Sequence, residues 1–173
     1  ALLEIDNAGD IVAQSFCRGV IRSSARKTYT QVAVEVETDE RLGKMRELAL
    51  ILNRKRVKRG SIDFDLPEPL IEFDANGFMV GVTRAPRNIA HRIIEEFMLA
   101  ANEAVARFLD QQSAPALYRV HEAPDPQRVE KFEAFISGFG VSLAVPLERV
   151  EPRHFQKLLA RIAGKPEERP IAF

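Results

Sequence analysis

The chain has one cysteine, Cys17, among its 173 residues. That excludes an internal disulfide framework and suits a reducing compartment, most simply the cytoplasm. With no cysteine near it, Cys17 reads as a small strand residue and not as a metal ligand or nucleophile. No apolar run approaches the roughly 18 residues of a transmembrane span, and the first residues show no basic segment followed by an apolar one. Lys plus Arg and Asp plus Glu number 25 each, so the net charge is zero. Bulk positive charge is therefore not how this chain would hold nucleic acid. The P-loop, the Gly-rich dinucleotide turn, the G-x-S-x-G elbow and H-E-x-x-H do not occur. None of His91, His121 and His154 has a Cys or His at metal-ligand spacing. His91 and Glu95 share a helix face at i, i+4, but two such groups on one helix do not define a metal site.

What is present describes an ordinary globular chain, 46% hydrophobic and 29% charged. One domain of this size buries roughly 70% of its unfolded surface. The longest periodic stretch is 86–110, predicted as a largely buried helix with Pro86 in its first turn. Ile89, Ala90, Ile93, Ile94, Phe97, Met98, Ala100, Ala101, Ala104, Val105 and Phe108 fall on its apolar side. Asn88, His91, Arg92, Glu95, Asn102 and Glu103 fall on the other. By residue type alone, Glu95 is a solvated charge or a carboxylate paired with Arg92 or His91.

The remaining elements follow from local signals. Residues 1–22 read as a hairpin whose second strand runs from Ile11 to Ile21, around the turn cluster Asp6-Asn7-Ala8-Gly9-Asp10. Gln31 to Glu37 alternates Val32, Val34 and Val36 with small or polar residues, favouring a strand, with a short helix as the alternative. Residues 39–59 are predicted as an amphipathic helix, with Thr38 or Asp39 as N-cap and Gly60 as stop. Strands are expected at 61–64, 70–74 and 78–83, the last two joined by Asn76-Gly77, and another at 116–121. Helices are expected near 127–139 and 152–163, followed by a charged, proline-containing tail. Hairpins mixed with helices, without regular β-α-β alternation, indicate an α+β fold around the 86–110 helix.

Two basic clusters stand out: Arg18, Arg22, Arg26 and Lys27, and the run Arg54, Lys55, Arg56, Lys58 and Arg59. Such a run is usually the solvated end of a helix, with phosphate contact as the other reading. Asp63, Asp65 and Glu68 form a small acidic group broken by prolines, which suggests an extended loop and not a carboxylate cage. The chain enters a strand at Ala1 without a methionine, so residues 1–173 are expected to be one region inside a larger protein, cut at both ends.

Four ordered stretches carry a resemblance. They are 20–29 (VIRSSARKTY), 59–64 (RGSIDF), 88–102 (NIAHRIIEEFMLAAN) and 117–122 (LYRVHE), followed by Pro124, Asp125 and Pro126. Together they resemble the ribonuclease II / ribonuclease R family of 3′-to-5′ exoribonucleases, specifically the central part of its catalytic domain. The resemblance implies that Tyr29 lies in a channel beside the 3′-terminal nucleotides of single-stranded RNA. It implies that Glu95 contacts ribose hydroxyls, the groups that separate RNA from DNA. Phe64 resembles an aromatic that stacks on terminal bases, and Arg26, His91, Arg92, Arg119 and His121 would support the site. The family's divalent metal, Mg2+, is held by an aspartate constellation of which no D-x5-D-x-D-D pattern occurs here. Its later arginine-bearing motif is missing too. The expectation is therefore that this piece supplies substrate-binding residues, no catalytic metal ligand and no hydrolysis by itself. A non-catalytic RNA-binding or scaffold module of the same fold is the alternative.

Overall fold

A computed structural model describes residues 1–63 and 69–172. The architecture is α+β, with two separate antiparallel hairpins and a set of helices. The chain's contacts group it into two compact units: Ala1–Lys55 with Phe64–Ala116, and Arg56–Asp63 with Leu117–Phe173.

The first unit opens with strands β1 (Leu2–Ile5) and β2 (Ile11–Ser15), paired with a bulge between Glu4 and Ile5. Asp6 Oδ1 accepts from the backbone N–H groups of Ala8 and Asp10 and so closes the turn. Gly9 completes it at φ 81°. A Cβ there would lie 3.1 Å from Ile51 Cγ2, so the turn requires glycine for both conformation and space. Lys55 Nζ donates to Gly9 O and Asp10 Oδ1, tying the hairpin to the following long helix. β2 ends at Ser15, short of the expected Ile21. Val20 and Ile21 are fully exposed and outside any strand, because no partner strand reaches them.

Helix α1 (Tyr29–Glu35) replaces the expected strand. Thr28 and Gln31 form a reciprocal capping box, a signal that outweighs the β-branched valines. The alternation of valines is explained by packing: Val36, at the C-cap, is buried against Ala49 and Ile93, while Val34 is 72% exposed. Helix α2 (Glu40–Lys58) starts at Asp39, whose Oδ1 accepts from Arg41 and Leu42 N–H. Those two bonds, led by that from Leu42, hold the Asp39 carboxyl below the ordinary carboxylate range, with the charges of Arg41 and Lys27 helping.

Strands β3 (Pro69–Phe73) and β4 (Met79–Arg84) form the second hairpin, closed by Asp74 and by Gly77 at φ 83°. Helix α3 (Ile89–Gln111) follows, capped by Asn88, which leaves Pro86 two residues before the cap instead of inside the helix. The expectation that α3 is largely buried is only partly met. Ala90, Ile93, Glu96 and Ala104 are buried, but Ile94, Met98 and Val105 are exposed, Met98 by 58%. Within this unit the inward stripe faces α1 and α2, which is narrower than the apolar side of the sequence.

The second unit holds α4 (Pro126–Ser137), a single 3-10 turn (Leu147–Arg149), α5 (Pro152–Ile162) and α6 (Glu168–Ala172). Its core is Val129, Ile136, Leu143, Leu158 and Ile162, flanked by Phe132, Phe155 and Ile171. The expected strand at 116–121 and the strand beginning at Ser61 are not formed, and the tail carries α6. Residues 61–63 are held differently. Gln156 Nε2 on α5 donates to Val57 O at 3.0 Å and Ser61 O at 2.9 Å, tying the end of α2 and the start of this segment to α5. Gly60, at φ 103°, sits so close to α5 that a Cβ would meet Arg153 N at 3.1 Å.

Candidate functional site

The site is built where the N-termini of α1 and α3 meet. The Thr28–Gln31 capping box fixes the start of α1, so its first residue, Tyr29, leaves the helix end in a set direction. At the start of α3, Asn88 Oδ1 accepts from Ala90 N–H at 3.0 Å, and Asn88 N–H donates to His91 Nδ1 at 3.3 Å. The capping box therefore orients the imidazole. Tyr29 stacks on that ring with centroids 3.9 Å apart and planes 21° from parallel. Tyr29 remains 47% exposed, and one of its faces is covered by His91.

Glu95 lies one turn beyond His91 on the same face of α3. Its Oε2 accepts from Arg87 Nη2 at 2.7 Å. The sequence suggests Arg92 or His91 as partners; Arg87 belongs to the loop before the helix. Helical periodicity says nothing about a residue outside the helix, which is why Arg87 escaped notice. Both side chains are about one-third exposed, so solvent screens the pair and its worth is below about 1 kcal/mol.

The next residue, Glu96, behaves oppositely. It is 2% exposed, and its Oε1 accepts from Asn53 Nδ2 on α2 at 2.7 Å. With Ile93 it faces inward and fixes which side of α3 turns out, leaving His91 and Glu95 on the partly exposed side. Two adjacent glutamates thus have separate tasks, a division that residue type could not reveal.

The other predicted residues are distributed as follows. Arg92 is half-buried on α3, and Arg26 is exposed in the extended segment two residues before the α1 cap. Arg119 and His121 are exposed in an irregular stretch of the second unit. Phe64 lies outside the described residues. Among the described residues no group of three or more His, Cys, Asp or Glu is arranged to hold a metal ion. No helix among them is long and apolar enough to cross a membrane. Chemically, the cluster offers an aromatic ring for stacking and a carboxylate that accepts from hydroxyls.

A family model for the RNB domain matches residues 1–172, and the chain belongs to the RNB domain family, a family of RNA-degrading exoribonucleases. Within that family its relatives are ribonucleases R. It is 40% identical to ribonuclease R of Aquifex aeolicus (strain VF5), over 97% of this chain and 25% of that protein. Identity to ribonuclease R of Thermotoga maritima is 33%, over 95% of this chain and 24% of the relative. The chain thus spans about a quarter of the length of the curated relatives it matches. In fold it is similar to the apo form of Mycoplasma genitalium RNase R, with a TM-score of 0.88 at 23% identity, covering 98% of this chain and 28% of that one. The same enzyme in complex with ribose methylated single-stranded RNA matches with a TM-score of 0.74 at 22% identity, over 83% of this chain and 24% of that one.

Proposed function

We propose that these residues form part of the catalytic domain of a processive exoribonuclease that hydrolyses single-stranded RNA from its 3′ end to nucleoside monophosphates, in the cytoplasm. The observation that carries this reading is the half-exposed Tyr29, stacked on His91 with Glu95 one turn away, in an RNB-family chain. A base stacking on the uncovered face of Tyr29 would gain about 1–3 kcal/mol without regard to sequence, as processive degradation requires. Glu95 would accept a hydrogen bond from a ribose 2′-OH, a donor that DNA lacks. Phe64 would stack on a second base. Arg26, Arg92 and His91 would support these contacts. The ribonuclease R names of the relatives, and the RNA complex of a similarly folded enzyme, support the substrate class.

Mg2+ would align water and stabilise charge on the phosphate. Among the described residues no group of three or more His, Cys, Asp or Glu is arranged to hold such an ion; we propose that its ligands lie outside these 173 residues, and no step is routed through the groups seen here. The assay is cleavage of a 5′-labelled single-stranded RNA with Mg2+ by the intact protein carrying this chain, beside the isolated 173 residues. Shortening from the 3′ end by the intact protein only is expected. Binding without cleavage by the intact protein would leave the non-catalytic module as the reading. Hydrolysis by the isolated chain would overturn the assignment of the metal ligands.

A further inference from the structure

We infer that Asn88 is a positioning residue for Tyr29, acting on both the main chain and the ring of that tyrosine. The inference rests on the reading of Tyr29 as a substrate-binding residue. Asn88 has extended backbone geometry at the α3 N-cap, and each of its polar groups is committed. Oδ1 accepts from Ala90 N–H at 3.0 Å. That bond settles which end of the side-chain amide is which, because a backbone N–H can only donate. The amino end, Nδ2, is consequently turned to the backbone carbonyl of Tyr29, an acceptor only, at 3.5 Å. The Asn88 backbone N–H donates to His91 Nδ1 at 3.3 Å and Asn88 Oδ1 lies 3.0 Å from the same nitrogen, so both groups hold the ring on which Tyr29 stacks. One residue therefore touches Tyr29 directly through its carbonyl and indirectly through the imidazole platform. It links the first turn of α1 to the first turn of α3 across 59 positions of sequence.

A plain N-cap does not need the amide nitrogen: Ser and Asp cap about as well as Asn through an oxygen alone. The nitrogen is what distinguishes capping from positioning. Asn88→Ser keeps an accepting oxygen and loses the donor. Asn88→Asp keeps the cap and points a carboxylate at the Tyr29 carbonyl, replacing attraction by repulsion. Asn88→Ala loses both functions.

The experiment measures the affinity of the intact protein for a single-stranded oligoadenylate in EDTA, alongside thermal unfolding. Asn88→Ser and Asn88→Asp should weaken binding about two- to threefold, the low end for one lost hydrogen bond because this contact is long and exposed, with the unfolding midpoint near that of the parent. Asn88→Ala should lower both. Tyr29→Ala is the benchmark: the double variant with Asn88→Ser should bind no more weakly than Tyr29→Ala alone, because Asn88 acts through the tyrosine. Parent-like affinity in Asn88→Ser would overturn the inference. If Tyr29→Ala itself binds as the parent does, the reading of Tyr29 as an RNA contact fails. The His91 ring protons, expected to be shifted upfield by the stacked Tyr29 ring, then still decide what Asn88 does. Loss of the upfield shift in Asn88→Ser supports the tether, and its retention overturns it.

Discussion

Replacing Gln156 by leucine removes a two-pronged donor while nearly conserving volume. In the parent, its Nε2 serves Val57 O, on the exposed last turn of α2, and Ser61 O, which is half-buried. Val57 O also accepts from Gly60 N–H at 2.9 Å, so it is not orphaned by the change, and water can reach it. That bond should be worth roughly 0.5 kcal/mol and the Ser61 bond about 1 kcal/mol. The sum is about 1–2 kcal/mol, or roughly 3–6 °C in unfolding midpoint for a chain of this size. Gln156→Lys restores donors that reach both carbonyls, and adds a cation at the C-terminus of α2, favourable by about 0.3–1 kcal/mol. Urea unfolding with an unchanged slope reads the difference directly. Amide exchange in 58–63 should accelerate in the leucine variant and recover in the lysine variant. Equal loss in both variants would refute donor bonding as the cause.

Ile136 is fully buried in the core of the second unit, so Ile136→Ala should cost about 3 kcal/mol by denaturant unfolding, within the usual spread of about 2–5. Asp39 carries a lowered pKa, so its contribution is complete above the ordinary carboxylate range and is lost as pH falls through the folded value. Asn also caps helices well, so Asp39→Asn should flatten the acid limb of the stability curve; a limb identical to that of the parent would exclude Asp39 as its source. Glu95→Ala in the intact protein should narrow the preference for RNA over matched DNA, about tenfold for a lost charge-assisted hydrogen bond, and unchanged relative rates would remove that role.

Local chemistry made much of the fold legible. The Asn76-Gly77 and Asp6–Gly9 turns, the Asp39 cap and the Gly60 stop each act within a few residues, so those elements were predicted closely. The ordered stretches around Tyr29 and Glu95 likewise carried the family on the chain itself, a result independent of packing. The strand expected at Gln31–Glu37 failed on a local signal, the Thr28–Gln31 capping box, and other failures depended on a distant partner. Ile11 to Ile21 and 116–121 have strand-like composition, but a strand exists only where another pairs with it.

The sequence by itself determined the two long periodic helices, the Asp39 cap, the two hairpin turns and the family. Those signals lie in contiguous residues and need no partner. Tertiary structure alone decided that Val36 turns inward on a helix, that Glu96 is buried on Asn53 while Glu95 pairs with Arg87, and that Gln156 holds the exit of α2. Each of these hinges on a group distant in the chain or outside the helical repeat. Burial and hydrogen bonding to such groups, and not residue type, separated the two neighbouring glutamates.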